Sequence, residues 1–416
     1  MNERDVRMRG FQRRVRLQTV LDWLSAHLAG RTPATCRVAL GDSHGRVVAE
    51  EIAATRNVPP FRRSAMDGYA LKGEETTGAS DYSPLPFRIV GESWPGQPFE
   101  GIVSTGQAVK IMTGAPVPEG ADAVIPAEYT REQQPSVEIT GSVPPHKNVG
   151  KVGEDLKAGQ VVFQSGRRLR PQDVGLLAAL GMAEVPVVRR PGVRILITGN
   201  ELASVGTEAE EHQIYDSNSW MLRSLVERDS GELCECLMIA DRRDAIVEAM
   251  TKPGADVILV SGGSSVGAED YAPTVLDEHG ELRYHGISMR PASPTGAGTV
   301  GNTLVFLLPG NPVSCLCAYD LLAGIAIRNL AGLPGVLPYR TVMHRVSKKI
   351  VSAVGRMDYC RVGLDENGVF PLAISGASIL SSTCRAAGFV LVPEESEGYA
   401  VGHTVEVFLY DTFTSV

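Results

Sequence analysis

Between residues 192 and 332, short apolar runs alternate with longer helical segments, and this alternation constrains the fold more than any other feature. Buried strands are predicted from the apolar runs at 193–198, 237–240, 257–260 and 304–308. Helical periodicity predicts helices near 216–229, 242–251, 270–278 and 312–330. Buried strands that lead into helices are typical of a mostly parallel sheet covered on both faces. The pattern therefore predicts a doubly wound α/β domain.

The remaining segments have a different pattern of apolar residues. An apolar stripe from Leu17 to Leu28 predicts an amphipathic helix that ends near Gly30, and Pro171 begins a second helical segment that stops at Gly181. Short apolar runs broken by glycine and proline predict a compact β domain at about 51–150, and alternation after residue 338 predicts a small C-terminal β domain. For 416 residues, about 150 residues per domain suggests two to four domains.

Composition narrows the class of protein. The net charge of -8 provides no basic field for a nucleic acid. No run of 18 apolar residues predicts a membrane span, and no apolar segment follows the arginine-rich start as in a signal peptide. We therefore expect a soluble cytoplasmic protein. Of the seven cysteines, Cys234 and Cys236, like Cys315 and Cys317, have Cys-x-Cys spacing, which favours buried free thiols over a metal site.

Three predicted strands end in loops suited to an anion. In an open α/β sheet, ligands bind beyond the carboxyl ends of the strands, where loops and helix N-termini present backbone N–H groups. Any one of these loops could be an ordinary turn, but three at one sheet edge favour a ligand site. The loop sequences are Thr198-Gly199-Asn200-Glu201, Ser261-Gly262-Gly263-Ser264-Ser265-Val266-Gly267 and Pro309-Gly310-Asn311-Pro312-Val313-Ser314.

Two nucleotide-binding patterns are rejected. The G-x-G-x-x-G match at 296–301 leads into a strand instead of a helix, so it is better interpreted as a hairpin or crossover loop. The glycines at 262 and 267 have P-loop spacing, but Ala268-Glu269 follows them instead of Lys-Ser/Thr.

Carboxylates at the predicted strand ends suggest a divalent metal. Asp216, Asp241 and Asp270 each precede a helical segment, and hard oxygen ligands at such positions suit a Mg²⁺ ion that bridges phosphate oxygens. The alternative, that each aspartate caps its helix, stays open at this point. In the β-rich region, Asp67 and Thr113 lie in Asp-Gly and Thr-Gly sequences that form either a site or simple turns.

The chain resembles the molybdopterin molybdenumtransferase family, which includes the MoeA proteins and the E domain of gephyrin. The motifs lie in order along residues 12–412. They are Ser-Ala-Met-Asp-Gly-Tyr-Ala at 64–70, Ile-Met-Thr-Gly-Ala-Pro-Val-Pro at 111–118, Gly-Glu-Asp at 153–155, Gln-Ile-Tyr-Asp-Ser-Asn at 213–218, Ser-Gly-Gly at 261–263 and Leu-Pro-Gly-Asn-Pro-Val-Ser at 308–314.

The resemblance implies a multidomain α/β plus β subunit of four parts. These are a discontinuous helical part at 12–50 and 150–190, a β-rich domain at 51–149, a molybdopterin-binding α/β domain at 191–333 and a barrel-like C-terminal β domain at 338–416. It also implies a homodimer that inserts molybdate into adenylylated molybdopterin with Mg²⁺ and releases AMP. The molybdopterin adenylyltransferase is a candidate partner.

The resemblance also assigns roles to residues. The metal ligands would be Asp216, Asp241 and Asp270, and Glu201 would be catalytic together with the partner subunit's Asp67, the partner subunit's Thr113 and the partner subunit's Asp155. The substrates would bind to Ser261, Gly262, Gly263, Ser264, Ser265, Arg290, Ser293, Pro294, Pro309, Gly310, Asn311, Pro312, Ser314, Arg356 and Arg361.

Some positions depart from the family pattern. Ser293 stands where the family usually has a lysine in a Lys/Arg-Pro-Gly-Lys-Pro run, so one positive charge near molybdate is missing. Asn200 replaces the usual acid of Thr-Gly-Asp-Glu, and 378–385 follows the C-terminal serine-rich pattern only loosely. A weakened transferase that acts as a binding or scaffold protein is therefore one alternative, and a tungstate-inserting relative is another.

Overall fold

The computed structural model describes residues 14–263, 270–373 and 376–411, which form two compact units. One unit contains the residues up to Cys36 and those from Val188 onward, and the other contains Arg37–Val187. The helices are α1 (Leu17–Leu28), α2 (Pro171–Ala179), α3 (Asn218–Arg228), α4 (Arg243–Thr251), α5 (Ala272–His279), α6 (Pro312–Ala318), α7 (Gly324–Leu330) and α8 (Leu380–Cys384).

A six-stranded sheet forms the centre of the larger unit. Its four parallel strands follow one another in space as Glu232–Ile239, Gly192–Thr198, Val257–Ser261 and Thr303–Leu308, and the antiparallel strands Gly296–Val300 and Glu281–His285 complete it. The parallel strands lead into α3, α4, α5 and α6 or their preceding loops, as the alternation of apolar runs and helices predicts. The doubly wound α/β fold is therefore confirmed.

The sheet is buried on both faces. Ile195, Leu259 and Phe306 belong to a core shared with α1, α3 and the helix that begins at Pro312. Ile258 and Val305 belong to a second core on the opposite face, together with α4 and α5. Two buried faces explain why these strands are continuous apolar runs instead of alternating ones.

The edge of the sheet differs from its centre. The strand Glu232–Ile239 has only one neighbour, and Cys234 is exposed while Cys236 is half-buried. The prediction of buried thiols is therefore wrong for Cys234, although Cys315 and Cys317 are buried as expected. An edge strand keeps one side open to solvent, which the local sequence does not reveal. The glycine-rich match at 296–301 is a hairpin strand and its turn, as interpreted from the sequence.

A second sheet contains the C-terminal part of the same unit. Five strands lie side by side in the order Met289–Arg290, Met357–Asp365, Gly388–Val392, Thr404–Leu409 and Arg340–Arg345, and Gly368–Ala373 also pairs with Met357–Asp365. Further two-residue strands in this unit are Leu202–Ala203, Ile214–Tyr215, Ile350–Val351 and Gly398–Tyr399. The first strand, Met289–Arg290, is contributed by the α/β region, so the two sheets are connected by backbone hydrogen bonds.

The other unit is built on a six-stranded β-sheet with an apolar core on each face. Its strands are, in order across the sheet, Ala123–Pro126, Gly68–Leu71, Gln107–Ile111, Leu85–Ser93, Ser136–Ile139 and Thr130–Gln133. Short pairs of strands join Arg63–Ser64 with Val149–Gly150 and Ile52–Ala53 with Val161–Phe163. The chain crosses between the two units within the paired strands Thr35–Ala39 and Glu184–Val188.

One long helix crosses the core of the larger unit. Residues Pro312–Leu330 form α6, a wider π-helical turn at Tyr319–Ala323, and α7. This helix is long and apolar enough to cross a membrane, but 83% of its most apolar window is buried inside the protein. Its burial is that of a core helix.

A buried charge cluster fixes this helix. Asp320 is fully buried in the π-helical turn, where it accepts hydrogen bonds from Arg228 at 2.9 Å and from the hydroxyl of Tyr339 at 2.8 Å. Asp229, also fully buried, pairs with Arg228 at 2.9 Å and Arg328 at 2.8 Å. Burial raises the pKa of Asp320, while Arg228 opposes that shift. Paired charges in this core therefore connect α3, the long helix and the segment that enters the C-terminal sheet.

We predict that Asp320→Ala destabilises the protein by about 3–5 kcal/mol, because it removes a fully buried acid and leaves Arg228 and Tyr339 without the acceptor that they share. The matched control is Asp244→Ala, which removes an ion pair with Arg242 whose side chains are 69% and 73% exposed; it should cost about 0–1 kcal/mol. Urea unfolding measures both values. Equal losses for the two variants would contradict a structural role for the buried cluster.

Candidate functional site

Three loops meet at the carboxyl edge of the parallel sheet. The N–H of Gly262 donates to the carbonyl of Leu308 at 3.3 Å, and the Cα of Gly262 lies 3.6 Å from where a Cβ on Gly310 would be. A Cβ on Gly262 itself would lie 2.1 Å from the carbonyl oxygen of Thr198. The loops after Thr198, Ser261 and Leu308 therefore pack against one another, as their strand-end positions predict. We call them the strand-end site.

Asn218 ties two of these loops together. Its Nδ2 donates to the hydroxyl of Ser261 at 2.9 Å and to the carbonyl of Gly310 at 2.7 Å. The side chain is 7% exposed, and its Oδ1 has no hydrogen-bond partner within the part of the chain described. The sequence motif at 213–218 contains Asn218, but the sequence alone assigns this residue no role. Its position as the first residue of α3, two residues after Asp216, is the signal that could have singled it out.

Asp241 brings a half-buried carboxylate to the same edge. Its Oδ1 is buried without a hydrogen bond from any described residue, and it lies 3.7 Å from where a Cβ on Gly263 would be. Burial, with a contribution from the carboxylates of Glu201 and Asp270, raises the pKa of Asp241. Two predicted site acids therefore lie near enough to Asp241 for their charges to act on it.

A divalent cation fits this chemistry. Oxygen donors that repel one another are stabilised by Mg²⁺ or a similar hard cation. Among the described residues, however, no three His, Cys, Asp or Glu side chains stand in a metal-binding arrangement. Glu201 and Asp270 lie near enough for their charges to affect Asp241, but the described acids do not surround a metal position. The Mg²⁺ ion therefore remains a prediction.

Asp216 has a different local role. It is 6% exposed, and its Oδ1 accepts the N–H of Ser219 at 3.0 Å in the first turn of α3. The capping interpretation left open by the sequence is therefore correct for Asp216. Asp241 makes no such bond to α4, whose beginning has no side-chain cap.

The remaining strand-end residues begin the long helix. Pro312 is its first residue, Ser314 is buried within the first turn, and the carbonyl of Asn311 accepts the N–H of Cys315 at 2.9 Å. Pro309 is buried and Gly310 exposed. Ser264 and Ser265 lie outside the described residues.

Two of the predicted oxyanion-binding arginines lie together. Arg290 pairs with Asp358, and the Nε of Arg356 lies 3.4 Å from the other oxygen of the same carboxylate. Arg361, on the same strand as Asp358, is fully buried. Burial raises the pKa of the Cys317 and Cys360 thiols, and the positive charge of Arg361 opposes that rise. Arg290 and Arg356 are therefore closer to solvent than Arg361.

The segment with the altered family pattern is half-buried at Ser293 and Pro294. The carbonyl of Ser293 accepts the N–H of Ile287 at 2.9 Å, and its hydroxyl is buried without a hydrogen bond from any residue in the described ranges. Ser293 therefore contributes a polar atom but no charge.

Asp67 and Thr113 form a pair in the other unit. The N–H and the hydroxyl of Thr113 each donate to Asp67 Oδ1 at 2.7 Å. These two bonds lower the pKa of Asp67. Asp155 belongs to the same unit and is exposed, and its N–H donates to the carbonyl of Val58 at 3.1 Å. The sequence motifs at 64–70 and 111–118 therefore converge on one ordered carboxylate.

Three family models match the chain in sequence order. The MoeA N-terminal region (domain I and II) matches residues 15–181, the "Probable molybdopterin binding domain" matches 194–329, and the MoeA C-terminal region (domain IV) matches 344–410. The strand-end site lies within the second match. A protein with this α/β sheet and these flanking regions has the domain content of a molybdenum cofactor biosynthesis protein.

Known relatives extend over almost the whole chain. Molybdopterin molybdenumtransferase 2 of Mycobacterium tuberculosis is 35% identical over 388 residues, which are 89% of this chain and 94% of that protein. Molybdopterin molybdenumtransferase of Haemophilus influenzae is 32% identical over 376 residues, 88% of this chain and 92% of that protein. The crystal structure of the molybdopterin biosynthesis MoeA protein from Pyrococcus horikoshii superposes with a TM-score of 0.82 at 31% identity, covering 96% of this chain and 100% of that one. The chain belongs to the molybdopterin molybdenumtransferase (MoeA) family.

We predict that Gly262→Ala disrupts the strand-end site, because the added Cβ meets the backbone of Thr198. The matched control is Gly206→Ala. Gly206 has a φ of +92°, close to the +93° of Gly262, but a Cβ there meets nothing within 4 Å. Both variants carry a backbone strain of about 1–2 kcal/mol, and Gly262→Ala should lose clearly more in urea unfolding. A loss no greater than that of Gly206→Ala would show that the loops separate without cost.

Proposed function

We propose that the protein is a Mg²⁺-dependent molybdopterin molybdenumtransferase, which inserts molybdate into adenylylated molybdopterin and releases AMP. Membership of the family over almost the full length supports this activity. The observation that carries the site assignment is Asp241, a half-buried residue whose Oδ1 is buried without a hydrogen bond from the described residues and which has two further acids near it. Such an excess of negative charge is what a cation-dependent phosphate site requires.

The loops of the strand-end site would bind the pterin and its phosphate. At Gly262 and Gly310 the absence of a side chain lets a ligand approach the backbone N–H groups. The N-terminus of the long helix, which begins at Pro312, adds a favourable field for an anion. Ser261, Ser264, Ser265 and Ser314 would add hydroxyl donors, and Asn218 keeps two of the loops in register.

Asp241 and Asp270 would hold the cation together with Asp216, whose Oδ1 already caps α3. Bound Mg²⁺ would neutralise the charge that develops on the phosphate oxygens during cleavage. Water would add to phosphorus as the bond between the adenylate and the pterin phosphate breaks, and Glu201 would accept the proton from that water. The two dithiolene S–H groups would then form bonds to molybdenum, and their two protons would leave with one molybdate oxygen as water.

Arg290 and Arg356 would bind molybdate. Guanidinium groups donate paired N–H bonds in the plane that an oxyanion needs. Arg361 would support this region from inside the C-terminal sheet, where it is fully buried. Ser293 and Pro294 would line the same subsite.

Family resemblance supports a homodimer in which Asp67, Thr113 and Asp155 of the partner subunit complete the site. Thr113 holds the Asp67 carboxylate in one orientation, which suits a carboxylate that contacts a polar group of a ligand. The four-part division of the subunit remains part of this proposal, as does an encounter with the molybdopterin adenylyltransferase that supplies the substrate. The seven cysteines form no disulfide with one another in the part of the chain that the structure describes, which favours a cytoplasmic setting.

Release of AMP from adenylylated molybdopterin tests the proposal directly. Purified protein is incubated with Mg²⁺, with and without molybdate, and AMP is quantified. AMP that appears only with molybdate supports the transferase. Tight binding of the pterin without AMP would favour a scaffold protein instead, and faster turnover with tungstate than with molybdate would favour a tungstate-inserting relative.

We predict that Asp241→Asn lowers Mg²⁺-dependent AMP release at least 100-fold, because an amide replaces a charged ligand of the cation. Asp244→Asn, three residues away and 73% exposed, is the matched control and should keep wild-type activity. Titration with Mg²⁺ during turnover gives the apparent affinity. Near-normal Mg²⁺ dependence in Asp241→Asn would remove this residue from the metal shell.

Ser293→Lys is expected to lower the KM for molybdate about tenfold. An added ammonium beside a dianion in a partly dry site contributes roughly 1–3 kcal/mol. The KM for the pterin serves as the internal control and should not change. An unaltered molybdate KM would show that residue 293 does not face the oxyanion.

A further inference from the structure

Two arginines share a single buried carboxylate at the junction of the two sheets of the larger unit. The short strand Met289–Arg290 runs parallel to Met357–Asp365, with Arg290 opposite Asp358. Arg290 Nη2 pairs with Asp358 Oδ2, and Arg356 Nε lies 3.4 Å from Oδ1. The carboxylate is fully buried, whereas the side chains of Arg290 and Arg356 are 28% and 32% exposed. The acid therefore lies inside, and the two cations are closer to the surface.

The charges of this cluster do not cancel. One carboxylate faces two guanidinium groups, so a positive charge remains for a further anion. The Nε atoms of Arg290 and Arg356 have no hydrogen-bond acceptor within the described ranges. Two like charges this close repel each other unless an anion lies between them. Asp358 supplies that anion.

Asp358 is itself held in one orientation. The hydroxyl of Ser352 donates to its Oδ2 at 2.6 Å, so this oxygen is shared between Ser352 and Arg290. Backbone pairing on both sides of Asp358, with Arg290 and with Val392, fixes its main chain. Because the carboxylate is held in place, it also restricts the positions of the two arginines that bind it.

We propose that Asp358 is a positioning residue, which holds the guanidinium groups of Arg290 and Arg356 side by side so that both can donate to one tetrahedral oxyanion. This inference rests on the proposed function, in which that oxyanion is molybdate. Asp358 does not touch the anion, since it is negatively charged and buried behind the arginines. Its effect should therefore be on molybdate binding more than on binding of the pterin.

A purely structural role is the competing explanation, and the chain offers a matched control for it. Asp173 has a side chain that is 5% exposed, and it lies between Arg167 at 2.9 Å and Arg170 at 3.1 Å. It belongs to the other unit and to no predicted site. Removing its charge disrupts the same kind of ion cluster without affecting the molybdate subsite.

The test compares Asp358→Asn, Asp358→Glu and Asp173→Asn in the full-length protein. We expect Asp358→Asn to raise the KM for molybdate at least tenfold, with smaller changes in kcat and in the KM for adenylylated molybdopterin. Calorimetric titration with molybdate alone should show the same loss of affinity. Asp358→Glu, which restores the charge, should recover part of it. Asp173→Asn should lower the melting temperature but leave the molybdate KM unchanged.

Several outcomes would overturn the positioning role. These are an unchanged molybdate KM in Asp358→Asn, or equal losses of pterin and molybdate affinity. If Asp358→Asn does not fold, Ser352→Ala takes its place, since it frees the carboxylate without removing it, and an unchanged molybdate KM there counts against the proposal. Failure of the wild-type protein to bind molybdate or to release AMP would instead refute the proposed function, so the two failures are distinguishable.

Discussion

Parallel hydrogen bonding between Gly192–Thr198 and its two neighbours is the constraint on which the strand-end site depends. Because Glu232–Ile239 and Val257–Ser261 run in the same direction as the strand between them, their carboxyl ends stop at one edge. The loops at that edge approach closely enough that Gly262 contacts the backbone of Thr198. Apolar cores on both faces hold the sheet in place, so the polar residues collect where the apolar strands end.

Local patterns predicted the central sheet because its strands are apolar on both faces and its helices follow in sequence. The same reasoning failed for residues whose exposure or partners depend on where their strand lies in the sheet. Cys234 was expected to be a buried thiol yet is exposed, since its strand is at the edge. The pairing of Arg290 with Asp358 joins residues 68 positions apart, and no local periodicity encodes it. The convergence of Asp241, Glu201 and Asp270 was predictable only because parallel strands bring their ends together.

The buried cluster around Asp229 and Asp320 shows how the α/β region and the C-terminal sheet become one unit. Tyr339 donates to Asp320 at 2.8 Å and packs edge-on against Phe389 in the C-terminal sheet, with ring centroids 5.2 Å apart. Movement of the C-terminal sheet away from the long helix would leave Asp320 partly unpaired in a low-dielectric core, which is costly. The arginines at 290 and 356 are therefore attached to a rigid frame.

Charge balance distinguishes the aspartates that the sequence could not tell apart. Asp216 precedes a helix and caps it, so its charge is offset by a backbone N–H. Asp241 also precedes a helix, but it has other acids near it and no cap to form, so it is suited to a cation. Asp358 has two arginines for one carboxylate, so its surroundings are suited to an anion. The proposed function needs both a cation subsite for the phosphate that is cleaved and an anion subsite for molybdate, and the two kinds of surroundings occur in the same unit. The sequence supplies the residue types, and the neighbours that the fold brings to each carboxylate decide which role it has.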